Sequence, residues 1–162
     1  MIFSGRRLSG EELAAVQADP DTVIAVLDTE PTGPEPAGSV DLDKAWHGLH
    51  YLLTGSAHEI PEGPGEAILG GDPIGPDLGM GPARLLEPKL VARVAAALDS
   101  MDETTLRARY DPAALGEAEV YPHVWEDGDV EFDDYLLPHY HELRTFYRNA
   151  AARGEAVLLT VN

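Results

Sequence analysis

Between Asp41 and Gly55 the apolar residues Leu42, Ala45, Trp46, Leu49, Leu52 and Leu53 recur at helical spacing and gather on one wide face. Asp41 can cap the start of such a helix and Gly55 can end it in the left-handed conformation, so the pattern predicts a core-facing helix over this stretch. A second stripe, Leu90, Val91, Val94, Ala95 and Leu98, follows Pro88, which suits a first helical turn. A third, Leu136, Tyr140, Leu143, Phe146, Tyr147 and Ala150, runs up to Gly154. Pro138 interrupts it, and either kinks the helix or marks its first turn, the acidic residues before it then forming a separate turn. Beyond Gly154, the continuous apolar run Ala156 to Val161 predicts a buried central strand.

Shorter signals fill the remainder. Residues 2 to 8 alternate loosely and predict an edge strand, whose pairing with the C-terminal strand would close the domain. Ser9 to Glu12 reads as a capping box opening a helix through Ala18. Asp19-Pro20 suggests a cap and first-turn proline for a short helix carrying Val23, Ile24 and Leu27. Thr29 to Ser39 and Ser56 to Gly81 are rich in glycine and proline and predict loops, the second containing one short strand at Ala67-Ile68-Leu69 and roofing a pocket near Arg84. Pro82 to Leu86 predicts another strand. Ser100 to Glu103 reads as a second capping box for a helix through Leu106 to about Tyr110, and Asp111-Pro112 as a cap for one or two turns through Leu115. Val120-Tyr121-Pro122 should be extended. The expected architecture is α+β: one mostly helical domain over residues 1–162, with a small sheet that includes the N- and C-terminal strands.

The charge balance narrows the range of partners. Against 29 acidic residues stand 11 basic ones, for a formal net charge of -18. Such a surface repels nucleic acid and anionic membranes, and neither is an expected partner. It attracts a basic protein, with steering that weakens as salt rises, although acidity also serves solubility alone. The chain has no cysteine, which excludes a disulfide framework, thiol catalysis and cysteine-ligated zinc and fits a reducing cytoplasm. The first residues carry two arginines but no apolar run after them, and no stretch approaches the roughly 20 apolar residues of a membrane span. A cytoplasmic location is therefore expected.

Candidate chemistry is sparse. On the helical wheel Asp43, His47 and His50 share one flank, with Trp46 beside them. Imidazoles beside a carboxylate suit a divalent metal or acid/base work, but the flank lacks the Glu of a His-Glu-x-x-His helix. The plainer reading is a half-buried histidine bonded to a backbone carbonyl. Arg84 is a lone cation in an apolar strand, placed to grip a carboxylate or phosphate or to tie back to Asp41 or Asp43. Tyr121 and Trp125 can wall a pocket or fill core. The acidic residues Glu126, Asp127, Asp129, Glu131, Asp133 and Asp134 lack the glycine and terminal glutamate of an EF-hand, and better suit the N-terminus of the helix that follows. Gly79-Met80-Gly81 does not open a helix, and no Gly-x-Ser-x-Gly element occurs.

The pattern Asp-Leu-Asp-Lys-x-Trp-x-x-Leu-His-x-x-Leu-Thr-Gly, followed by Gly81-Pro82-Ala83-Arg84-Leu85-Leu86, then Val120-Tyr121-Pro122, a long helix and a last strand, resembles the YfbM-like family of small bacterial proteins. That family is a domain of unknown function, and the resemblance covers nearly the whole chain. Asp43, Trp46, Leu49, His50, Leu53, Thr54, Gly55, Pro82 and Arg84 fall on its pattern, while His47 falls on a position the pattern leaves open. The candidate pocket is therefore Asp43, Trp46, His50, Arg84 and Tyr121, with no metal and no cofactor. The expected function is a cytosolic protein-binding module of inhibitor or immunity type with a basic partner. The alternative is an enzyme or small-molecule binder in which His50 is the acid/base, Arg84 the anion clamp and Trp46 a wall.

Overall fold

The C-terminal run Ala156–Val161 (β5) is the centre of the molecule. It lies third in a five-stranded antiparallel sheet, with Phe3–Leu8 (β1) and then Ser39–Asp43 (β2) on one side and Pro82–Leu86 (β4) and then Asp72–Asp77 (β3) on the other. This computed structural model describes residues 1–31, 38–128 and 132–162. The two chain ends pair as expected, with Phe3 opposite Val161 and Leu8 opposite Ala156. Strand β1, however, is interior and not an edge, because β2 covers its other side. Its unpromising alternation reflects Arg6 and Arg7, both buried. Arg6 meets Glu12 at 2.6 Å and also the carbonyls of Val26 and Thr29, and Arg7 meets Glu155 at 3.3 Å.

Strand periodicity divides the core in two. Phe3, Val40, Leu42, Leu86, Val157 and Leu159 point into the larger core, which holds the helices Trp46–Thr54 (α3), Glu66–Leu69 (α4), Pro88–Ser100 (α5), Glu103–Arg109 (α6), Pro112–Glu117 (α7) and Leu137–Arg153 (α8). Leu8, Ala83, Leu85, Ala156 and Leu158 point the other way, onto Gly10–Ala18 (α1) and Thr22–Leu27 (α2). Two tyrosines pin α8 across the larger core. The Tyr140 hydroxyl lies 2.6 and 2.5 Å from the carbonyls of Leu98 and Met101, and that of Tyr147 donates to the Ala67 carbonyl at 2.7 Å. Pro138 occupies the first turn of α8, and the acidic stretch before it forms a separate π turn at Phe132–Leu136.

Several local expectations change in the folded chain. Asp41-Leu42-Asp43 is the end of β2 and not the first turn of a helix, with Ser39 and Asp41 exposed and Val40 and Leu42 buried. Leu42 suits either period, and pairing of Asp41 with Ser4 decides the matter. Ala67-Ile68-Leu69 belongs to helix α4, while the strand of this region comes later, as β3. Helix α2 starts after Asp21, and Asp19 serves it through its backbone carbonyl, which accepts from Thr22. Asp102 and not Ser100 caps α6, accepting from the Thr105 N–H at 2.8 Å. The capping box of Ser9 and Glu12, the Asp111 cap, and the left-handed stops at Gly55 and Gly154 are as expected. Val120–Pro122 is irregular chain, and part of the predicted 29–39 loop and the acidic residues Asp129 and Glu131 lie outside the described residues.

Candidate functional site

Helix α3 is buried on nearly every side, polar residues included. Gly48 makes this possible. A Cβ there would lie 2.5 Å from Cη2 of Trp125, so only glycine lets that indole lie against the helix while its N–H donates to the Val120 carbonyl at 2.8 Å. His47 stacks on Trp46 with ring centroids 4.7 Å apart. Its Nε2–H donates to the Ala57 carbonyl at 2.8 Å, and its Nδ1 accepts the Tyr121 N–H at 3.0 Å, which fixes a neutral ring in one tautomer. His50 has 0% exposure. Its Nε2–H donates to the Glu59 carbonyl at 2.9 Å, while its buried Nδ1 meets no partner among the described residues.

Burial lowers the basicity of both rings. His47 falls below its usual range chiefly through desolvation, aided by His58 and His123 and opposed by the Ala57 carbonyl. His50 falls to about 4 for the same first cause, opposed by the Glu59 carbonyl and aided by His47 and His58. Both histidines therefore act as neutral ties that bind the Ala57–Glu59 segment to α3. His58 and His123 come from irregular chain with no helical spacing, so no sequence signal grouped them with His47 and His50.

Trp46 and Tyr121 also meet. Their rings stack with centroids 6.3 Å apart around the N-terminus, where the Met1 amino group donates to the Tyr121 hydroxyl at 2.8 Å and the Trp46 N–H to the Met1 carbonyl at 3.4 Å. Asp43, in the left-handed region at φ 46°, turns away from the histidines and accepts the Tyr135 hydroxyl at 3.1 Å. Burial first, and this bond second, push the Tyr135 phenol up to about 12. The Asp43-His47-His50 flank of the predicted helix therefore does not form, because Asp43 lies on a strand.

Arg84 stands elsewhere. Its Nε and Nη2 donate to the carbonyls of Gly70 and Gly71 at 2.9 and 2.7 Å, and neither Asp41 nor Asp43 is its partner. It lines a groove of about 260 Å³ with Ile60, Ile68, Leu69, Met80 and Leu159, and none of Asp43, Trp46, His50 and Tyr121 lines it. A larger groove, about 450 Å³, runs between β2 and α8, lined by Ser39, Val40, Asp41, His141, Glu142, Thr145, Phe146 and Asn149. Sequence reasoning missed it, although Glu142, Thr145 and Asn149 form a polar stripe at helical spacing. Among the described residues no group of three or more histidines and carboxylates is arranged to hold a metal ion.

The scarce cations are mostly committed inside the chain. Arg6, Arg7, Arg93, Arg107 and Arg148 pair with carboxylates. Arg84 and Arg109 donate to backbone carbonyls, Arg109 to those of Leu52 and Leu53. Among the described residues, most of the other carboxylates are exposed and meet no cationic side chain.

Fold and side-chain placement thus define a small acidic α+β protein whose buried histidines donate to backbone carbonyls. The chain belongs to the family described as Domain of unknown function (DUF1877), which it matches over residues 1–160. Among solved structures it is similar to YfbM from Escherichia coli, a protein of unknown function, with 23% identity, 98% of each chain covered and a TM-score of 0.72, a likeness of fold. No curated protein matches it. No helix among the described residues is long and apolar enough to cross a membrane.

Proposed function

We propose that this protein is a cytosolic binding module of inhibitor or immunity type whose partner is a basic protein. The observation that carries this reading is the commitment of its arginines. With 29 acidic and 11 basic residues, and most of the arginines bound to carboxylates or carbonyls of the same chain, the exposed surface presents negative charge with few cations to quench it. Complementary charge of this kind speeds encounter and selects partners of opposite sign. A catalytic or small-molecule site built from Asp43, Trp46, His50, Arg84 and Tyr121 has less behind it, since His50 is fully buried and Arg84 lines a separate groove.

The test is affinity capture from a cell lysate on the immobilised protein at low and at high salt, with the retained proteins identified by mass spectrometry. Basic proteins should be enriched at low salt and released at high salt. Retention with no bias toward basic proteins, or with no dependence on salt, would overturn the reading.

A further inference from the structure

We infer that the outer edge of β2, with the groove beside α8, receives an extended basic segment of the partner as a sixth strand. This rests on the acidic-module reading and names the surface that would serve it.

The sheet ends in two strands, and they differ as templates. Along β3, Pro73 and Pro76 remove backbone donors, Gly75 sits at φ 79°, and the register slips between Ile74 and Asp77. Such an edge cannot offer a regular ladder. Strand β2, Ser39–Asp43, contains no proline, pairs with β1 on its inner side and has no strand on its outer side among the described residues. The Asp43 N–H is held by the Asp41 side chain and the Leu42 carbonyl by the Ala45 N–H, so the outward backbone groups left for strand addition are those of residues 39–41.

The space beside this edge suits a strand. The groove of about 450 Å³ has Val40 and Phe146 as an apolar floor, and Glu142, Thr145 and Asn149 along the flank of α8. A neighbouring strand would lie roughly 4.8 Å out from β2, with alternate side chains directed under α8 and onto the open face. Those under α8 meet Val40, Thr145 and Phe146 and should be apolar. Those on the open face lie beside exposed Asp41.

Charge selects the occupant. Asp41 and Glu142 are exposed, and Asp41 uses one oxygen on the Asp43 N–H at 2.7 Å. A second copy of this chain pairing edge to edge would set aspartates against aspartates, which is unfavourable, whereas lysine or arginine opposite them is favourable. The recognised segment therefore alternates basic and apolar residues.

The experiment is an amide NMR titration of the intact protein with a short peptide alternating lysine and valine, beside a peptide of the same composition with its lysines and valines in separate blocks. The alternating peptide should shift the amides of residues 39–43 and 141–149. It should bind about tenfold more weakly to Asp41→Lys and to Glu142→Lys, but not to Asp77→Lys on the far edge. Glu142→Lys, at an exposed helical position, keeps the test valid if Asp41→Lys disturbs the turn after β2. Equal binding of both peptides with shifts scattered over the surface would overturn the strand-addition site while leaving the acidic-module reading intact. No binding of either peptide at low salt, with no basic protein captured from lysate, would overturn both.

Discussion

Acidification should reveal His50 as a buried neutral imidazole. In the folded protein its ring is fully enclosed, and its basicity falls from 6.5 to about 4 because burial penalises the cation more than the Glu59 carbonyl favours it. The unfolded chain takes up a proton that the folded one refuses. The contribution is therefore fully present above pH about 6.5, is lost as pH falls toward about 4, and changes no further below that. The gap between the two values sets a ceiling of roughly 3 kcal/mol, of which about 2 kcal/mol is gone by pH about 5. His47, lowered in the same direction, adds to the loss. Urea unfolding of the parent and of His50→Gln at pH about 7.5 and about 5 isolates the term, because the glutamine amide can still donate toward Glu59 but does not titrate. Both chains carry the same carboxylates, whose effects cancel in the comparison. The parent should lose about 2 kcal/mol more than the variant between the two pH values. Equal losses would refute the reasoning.

Other substitutions test the remaining ties. Gly48→Ala should destabilise by about 1–2 kcal/mol despite a helix-propensity gain of about 1 kcal/mol, because its Cβ would lie 2.5 Å from the Trp125 ring; a rise in melting temperature would contradict the packing argument. Asp111→Ala should lower stability by about 1 kcal/mol by freeing the Ala113 and Ala114 N–H groups. Ser100→Ala should change it by under about 0.5 kcal/mol, and equal effects in denaturant titrations would restore the Ser100 cap. Arg84→Met leaves the Gly70 and Gly71 carbonyls without their donor and should cost about 1–3 kcal/mol by thermal or chemical unfolding, whereas unchanged stability would show that Arg84 is kept for something other than folding. Asp43→Asn should lower the Tyr135 phenol from about 12 without restoring it to 10, since burial is the larger cause; an ultraviolet titration that does not move would exclude the Asp43 bond.

Elements governed by nearest neighbours were legible before folding was considered. Ser9 and Glu12 cap reciprocally, Asp111 caps through its carboxylate, Gly55 and Gly154 stop their helices at positive φ, and the unbroken apolar run of β5 lies at the sheet centre. Where one residue satisfied two periods, the reading failed. Leu42 belongs to a helical stripe and to a strand alternation at once, and Ala67-Ile68-Leu69 is too short for its period to speak. The site was legible only in pieces. Trp46 and Tyr121 do meet, but His47, at a position the family pattern leaves open, proves to be the residue that joins them, through a ring stack and the Tyr121 N–H. Tyr135, His58 and His123 carry no spacing that would have drawn them in.

Local signals in the sequence set the class of fold, the caps at Ser9 and Asp111, the helix stops at Gly55 and Gly154, the central strand, the family and the acidic surface, because these follow from local geometry, composition and a dense pattern of apolar positions. Tertiary structure alone decided that β1 is interior and β2 an open edge, that His50 is sealed and neutral, that Arg84 serves two glycine carbonyls, and that a groove lies between β2 and α8. Each of these depends on which elements become neighbours. A contact between residues distant along the chain is set by the packing of the whole core, and local periodicity does not encode it.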